Sequence, residues 1–136
     1  MRLGLYIVKG IKPVILAVAA AVILKFFVFD FIIAQGHSME SSIYDGTVLV
    51  INRLRYGIRM PSQKYLIRWA LPKEGEVVIF YTPIGDLAVK RVTSVSNCAV
   101  EGYKFYAEGD NSISSYDSRA YGSVHIDSII GKVLGY

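Results

Sequence analysis

Residues 76–95 read EVVIFYTPIGDLAVKRVTSV. Two runs rich in β-branched and aromatic residues, Glu76–Tyr81 and Leu87–Val95, flank the turn cluster Pro83-Ile84-Gly85-Asp86, which is the pattern of two short strands joined by a tight connection. The same punctuation recurs outward in both directions. Tyr44-Asp45-Gly46 precedes Thr47–Ile51, Lys73-Glu74-Gly75 precedes the first strand of the quoted pair, and Val100–Ala107 and Ser128–Leu134 read as further strands. No stretch beyond residue 30 carries a helical apolar period. Residues 30–136 are therefore expected to form a mainly β, antiparallel domain.

The rest of the chain is different. Hydrophobic residues make up 53% of the sequence and charged residues only 19%, too oily for an ordinary soluble domain. The excess is concentrated at 11–29, IKPVILAVAAAVILKFFVF. As a helix this run is long enough to cross a bilayer core of roughly 30 Å. Lys12 and Pro13 fall in its first turn, and Lys25 near the far end can snorkel to the headgroups. A cleaved signal peptide is the rival, but the apolar run exceeds the roughly 7–15 residues of such a core, and no clean small-x-small site follows it. Arg2, Lys9 and Lys12 precede the run, so residues 1–10 are expected in the cytoplasm and 30–136 on the opposite side. The single cysteine, Cys98, excludes an internal disulfide framework and reads as a small filler or a surface thiol.

Between Arg53 and Lys73 the chain reads RLRYGIRMPSQKYLIRWALPK, basic and aromatic with no acidic residue. That mixture suits nucleic acid or a membrane surface. A tethered, outward-facing domain meets lipid rather than DNA, so 53–73 is expected to be a membrane-facing loop or hairpin. A solvated basic loop with its aromatics packed inward is the alternative. The formal charge of +4 does not by itself choose between partners.

With His37 and His125 as the only histidines, a Ser-His-Asp triad is poorly provided for. Ser38 stands in Gln35-Gly36-His37-Ser38-Met39, where the glycine would let backbone amides approach a reacting oxygen. Lys90 sits mid-strand, with Ala88 and Val92 on its own face. If that face is the inner one, burial disfavours the ammonium and leaves an amine able to accept a serine proton. A lysine snorkelling from an edge strand is the alternative. Gly109–Val124 is a dense run of turn and hydrogen-bonding residues, in which Ser115, Asp117 and Arg119 share a face if the segment is extended.

Taken together, these features resemble the bacterial type I signal peptidases, membrane-bound serine-lysine proteases with a β catalytic domain of the signal peptidase/LexA-like type. The resemblance spans about residues 10–134. Its strongest element is GDN-xxx-S-x-DSR-xx-G-x-V, matched by Gly109–Val124 at every fixed position. Gly75–Phe80 followed by Val89-Lys90-Arg91-Val92 is similar to the family's strand pair, and Tyr56-Gly57-Ile58-Arg59 to its basic segment. The resemblance implies Ser38 as nucleophile and Lys90 as general base. The Lys90 amine would lie within hydrogen-bond reach of the Ser38 hydroxyl, with Ser115 near the same amine to orient it, while Asp117 and Arg119 brace the site. It further implies that Ile32, Ala34, Met39, Ile43 and Val89 line pockets for small substrate side chains. Neither metal nor cofactor is called for. The implied substrates are the signal peptides of exported preproteins, cleaved by an endopeptidase on the outer side of the bacterial cytoplasmic membrane, near the secretion translocon.

The motif departs from the family at three places. Ser38-Met39-Glu40-Ser41-Ser42 lacks the usual proline and threonine, Gly36 stands where many members carry an oxyanion-hole serine, and Thr93–Asn97 replaces a glycine-rich loop. A specialised peptidase for a pilin or conjugation protein, and an inactive membrane-tethered binding homologue, fit the same residues. The LexA-like repressors share the dyad, but a membrane span stands here in place of their DNA-binding helices.

Overall fold

The structure is a computed structural model describing residues 2–136, with side chains from Ile11 onward except Leu24 and Phe26. Helix α1 (Arg2–Val28) runs directly into strand β1 (Phe29–Ile33). The strands β2 (Val48–Asn52), β3 (Gly57–Arg59), β4 (Tyr65–Arg68), β5 (Val77–Tyr81), β6 (Leu87–Cys98) and β7 (Gly102–Glu108) follow. The chain closes with the short helix α2 (Ser118–Tyr121), β8 (Val124–His125), a 3-10 turn (Ile126–Ser128) and β9 (Ile129–Gly135).

Seven strands form one antiparallel sheet in the order β1-β2-β9-β5-β6-β7-β8, and β3 and β4 form a separate hairpin. Strand β5 explains how the sheet is held. Its residues Val77, Val78, Ile79 and Phe80 are all buried, because this apolar run lacks the polar alternation of a half-exposed strand. Val77 and Ile79 pack with Met39, Ile43, Leu49, Ile51 and Val133, whereas Val78 and Phe80 pack with Tyr56, Val92, Phe105, Ala107 and Ile129. The sheet thus divides two cores, and the first of them holds the segment carrying Ser38.

The expected strands fall within one to three residues of the observed ends. Strand β1 is not separable from α1 in sequence, because both are apolar, yet all five of its residues pair with β2. The 109–119 segment is not extended. Asp117 caps α2 and Arg119 lies within that helix, so the two meet through a turn rather than along one strand face. An aspartate that accepts its own helix's first amides favours such a turn over an extended chain.

The expected cytoplasmic segment 1–10 lies outside the described side chains, as do Leu24 and Phe26 within the expected span. Among the described residues no helix is long and apolar enough to cross a membrane. The described side chains from Ile11 to Phe27 are exposed, with Leu16 at 72% and Phe27 at 70%; Lys25 alone among them is placed over a β-domain ring, its amine 5.9 Å from the centre of Phe31.

Glu76, the residue before β5, accepts from the buried Tyr56 hydroxyl at 2.7 Å, the Lys132 amine at 2.9 Å and the Lys73 amide at 3.1 Å. Burial opposes its ionisation, but the Lys132 and Tyr56 hydrogen bonds outweigh it and hold the pKa at about 2. A carboxylate whose folded pKa is depressed contributes stability that is present above its unfolded value of about 4.5 and lost as pH falls toward 2. Glu76→Gln should therefore cost roughly 1–3 kcal/mol at pH 7 and flatten the acid limb of stability measured by urea unfolding. An acid limb unchanged in the variant would remove Glu76 from this role.

Candidate active site

Ser38 lies on the loop between β1 and β2, and three sets of contacts fix its backbone. Met39 and Ile43 are 4% and 2% exposed and anchor the loop in the core beside β5. The Asn111 amide donates to the Ser38 carbonyl at 3.0 Å, and the Asn111 side-chain amide donates to the His37 carbonyl at the same distance. Gly36 takes a φ of +86°, which a glycine adopts without strain, and its N–H donates to Asp45 Oδ1 at 2.7 Å. His37 is turned to Glu40: its Nδ1 pairs with that carboxylate, whose hydrogen bond raises the imidazole pKa.

Lys90 is 5% exposed in the ladder between β5 and β6, opposite Val78. Burial lowers its pKa from the ordinary lysine value; the negative charge of Asp117 works against that shift and the positive charge of Arg119 with it. The sheet face that sequence alternation left open is therefore an inner one.

Asp117 is fully buried. Its carboxylate accepts the Gly109 amide at 2.8 Å, the Arg119 amide at 3.1 Å, the Arg119 Nε at 2.9 Å and the Ser115 hydroxyl. Burial alone would raise its pKa, but the Arg119 guanidinium, the Gly109 amide and the Ser115 hydroxyl hold it well below the usual carboxylate range. The Ser115 hydroxyl was expected on the lysine; here it is given to Asp117, and no hydrogen bond joins the Lys90 amine to Ser38 or Ser115 among the described residues. At Gly109 the two loops touch, since a Cβ there would overlap both the Ser115 hydroxyl and the Ser38 carbonyl.

One cavity of about 390 Å³ collects the candidate residues. Ser38, Lys90 and Gly36 line it, as do Ile32, Ala34, Met39, Ile43 and Val89; Ser115, Asp117 and Arg119 stand outside its lining. Thr82, Ile84, Asp86, Leu87 and Tyr116 also line it, although nothing in the sequence singled them out. Arg91 was noted only as a neighbour of Lys90. It grips Asp110 through Nε at 2.9 Å and Nη2 at 2.7 Å and reaches Ser42 at 3.3 Å, tying β6 to both loops. Asp45 went unremarked except as a turn residue, because a side chain that accepts an amide nine positions away leaves no local pattern.

Two strand edges border the cavity. β1 is the outermost strand of the sheet, and β7 begins to pair with β6 only at Arg91, so the Leu87–Lys90 stretch of β6 has one side free. The site is thus a nucleophile candidate and a buried amine at one apolar slot between two unpaired edges.

Comparison with known proteins places the chain in a family. The family model described as "Signal peptidase, peptidase S26" matches residues 7–101, a stretch that includes Ser38 and Lys90. The chain is 26% identical to "Signal peptidase I" of Bacillus caldolyticus, covering 89% of this chain and 86% of that protein. It is 23% identical to "Signal peptidase I V" of Bacillus subtilis over 98% of both chains. It is 25% identical to "Signal peptidase I" of Helicobacter pylori over 80% of this chain, which spans only 44% of that longer protein. With the family model covering well over half of its length, the chain belongs to the signal peptidase family, peptidase S26.

Proposed function

We propose that this chain is a membrane-tethered serine endopeptidase that removes signal peptides from exported preproteins, with Ser38 as nucleophile and Lys90 as general base. The observation that carries this is the convergence of Ser38 and a buried Lys90 on one apolar cavity between two free strand edges. An extended peptide can add a strand at such an edge, satisfying its backbone while alternate side chains enter the cavity. Ile32, Ala34, Met39, Ile43 and Val89 give that cavity an apolar wall, which suits small side chains before the scissile bond.

The chemistry is acyl transfer in two halves. Neutral Lys90 accepts the Ser38 proton as the oxygen attacks the scissile carbonyl, then donates it to the leaving amine; water next attacks the acyl-serine with Lys90 again as base. The two groups must close to about 2.6–3.2 Å in the Michaelis complex, as such contacts often do only once substrate is bound. The oxyanion falls to backbone N–H groups near Ser38, because Gly36 offers no hydroxyl. Asp45 positions these donors by holding the Gly36 amide.

Anchorage by α1 with the β domain outside the cytoplasmic membrane completes the proposal. The apolar run at 11–29, the basic residues before it and the exposure of its described side chains support it. An orientation that places the cavity outside puts it where signal peptides emerge.

Three outcomes test these assignments. Cleavage of a preprotein by the detergent-solubilised chain should rise with pH through an alkaline ionisation lying below that of free lysine, since Lys90 must lose its proton to act and burial makes that loss easier. Ser38→Ala, Lys90→Ala and Lys90→Arg should each lose cleavage, the last because a guanidinium cannot be deprotonated, whereas His37→Ala should retain most of it. Cleavage that survives Lys90→Ala, or a limb near pH 6.5 that disappears with His37, would overturn the assignment.

Asp45→Ala should lower kcat about tenfold with KM little changed, and Asp45→Asn, which keeps a side-chain acceptor, should recover most of the loss. A KM effect alone would make Asp45 a substrate-binding residue instead.

Protease added outside spheroplasts should digest the chain beyond Asp30. Protection of that region, with the N-terminus accessible, would invert the topology.

A further inference from the structure

The proposed catalysis makes no use of the hairpin formed by β3 and β4. Its outward side chains are apolar: Ile58, Met60, Leu66, Ile67 and Trp69 are between 41% and 61% exposed, and Ile58 stands across the ladder from Ile67. The hairpin is not a loose loop. Tyr65 donates to the Ile129 carbonyl at 2.9 Å, Arg59 to the Asp127 carbonyl at 3.1 Å, and the Trp69 amide to the Tyr56 carbonyl at 3.0 Å. Tyr56 itself is buried in the core. The domain therefore holds this apolar surface in place with nothing packed on it.

Its position and charge indicate what covers it. Asn52 pairs with Phe29, the Arg53 amide donates to the carbonyl of Val28 at 2.9 Å, and the Arg53 guanidinium meets Asp30 at 3.5 Å. The segment thus leaves the sheet beside the last residue of α1, at the level where an anchored chain would emerge from a bilayer. No acidic residue occurs between Arg53 and Lys73. Lys64 and Lys73 have no acidic side-chain partner among the described residues. Arg68 pairs with Asp127 at 3.2 Å with both groups partly exposed, an interaction weak enough to exchange for phosphate.

We infer that the β3–β4 hairpin docks on anionic phospholipid, with Ile58, Leu66, Ile67 and Trp69 at the acyl boundary and the basic side chains on the phosphates. Burial of apolar surface and attraction of each cation to an anionic leaflet then act together. The inference rests on the anchorage by α1 proposed above. It gives the tethered domain a second, non-helical contact with the membrane, which restricts its rotation about the anchor.

The chain contains one tryptophan, Trp69 on this hairpin, so emission excited at the red edge, where its tyrosines do not absorb, reports on the hairpin alone. The full chain is reconstituted into phosphatidylcholine vesicles with or without phosphatidylglycerol, each carrying brominated acyl chains, and recovered by flotation. The expected result is co-flotation in both, with Trp69 emission blue-shifted and quenched much more strongly in the vesicles containing phosphatidylglycerol. Raising the salt concentration should weaken that preference. In the Lys64→Gln/Lys73→Gln variant the ratio of docked to undocked hairpin should fall by about fivefold per lysine removed. Failure to co-float would overturn the anchorage itself. Co-flotation with Trp69 unquenched would overturn the hairpin inference alone and leave a protein partner as the occupant of this face. Equal quenching in both vesicles, or a variant that keeps the full preference, would reject anionic lipid as the ligand.

Discussion

The site is organised around a carboxylate that touches no part of the cavity. Asp117 is buried and ionised, which is tolerable only because Gly109, Ser115 and Arg119 supply it with hydrogen bonds and a positive charge. Those bonds fold the 109–119 loop into one shape. That shape places Asn111 against the carbonyls of His37 and Ser38 and leaves Gly109 no room for a side chain. The position of Ser38 thus depends on a charge on another loop. Removing Arg119 would leave the buried Asp117 carboxylate without its positive partner, which costs more than the pair contributes when intact.

The same pair acts on Lys90. Burial pushes the amine toward neutrality, and an isolated Asp117 beside it would push it back toward the ammonium. Arg119, hydrogen-bonded to Asp117, offsets that pull, so burial remains the largest influence. The general-base role proposed for Lys90 needs this balance, because a lysine held charged by an unscreened carboxylate cannot accept a proton near neutral pH. The arginine brace is therefore an electrostatic element as much as a mechanical one.

The strands were legible because they obey local rules: β-branched and aromatic runs between glycine-marked turns, with β5 recognisable as a continuous apolar run. β1 was hidden because its apolar residues continue those of the helix before it. The candidate site was legible in its members but not in its wiring. Lys90 looked like either a buried base or a snorkelling surface lysine, and only the packing of β5 against two cores decides which. Ser115 looked like a partner for the lysine, yet its hydroxyl goes to Asp117, a choice set by a turn that alternation along a strand does not describe. Arg91–Asp110 and Asp45–Gly36 join residues 19 and 9 positions apart, and a single sequence carries no signal for such pairs.

The connection from α1 to the cavity is short and stiff. β1 begins one residue after the helix ends, pairs along its whole length with β2, and reaches the cavity wall at Ile32. At about 3.3 Å per residue, the wall at Ile32 starts roughly 13 Å beyond the end of the helix at Val28. A flexible linker would let a tethered domain sample many heights above the membrane; a paired strand fixes one. On the proposed anchorage, a substrate whose own apolar segment is still in the bilayer can present only the few residues that follow it at that height. The place of cleavage would then be limited first by geometry and only second by the small apolar wall of Ile32, Ala34 and Val89. On that proposal, sheet pairing next to the anchor and pocket chemistry next to Ser38 are two parts of one specificity.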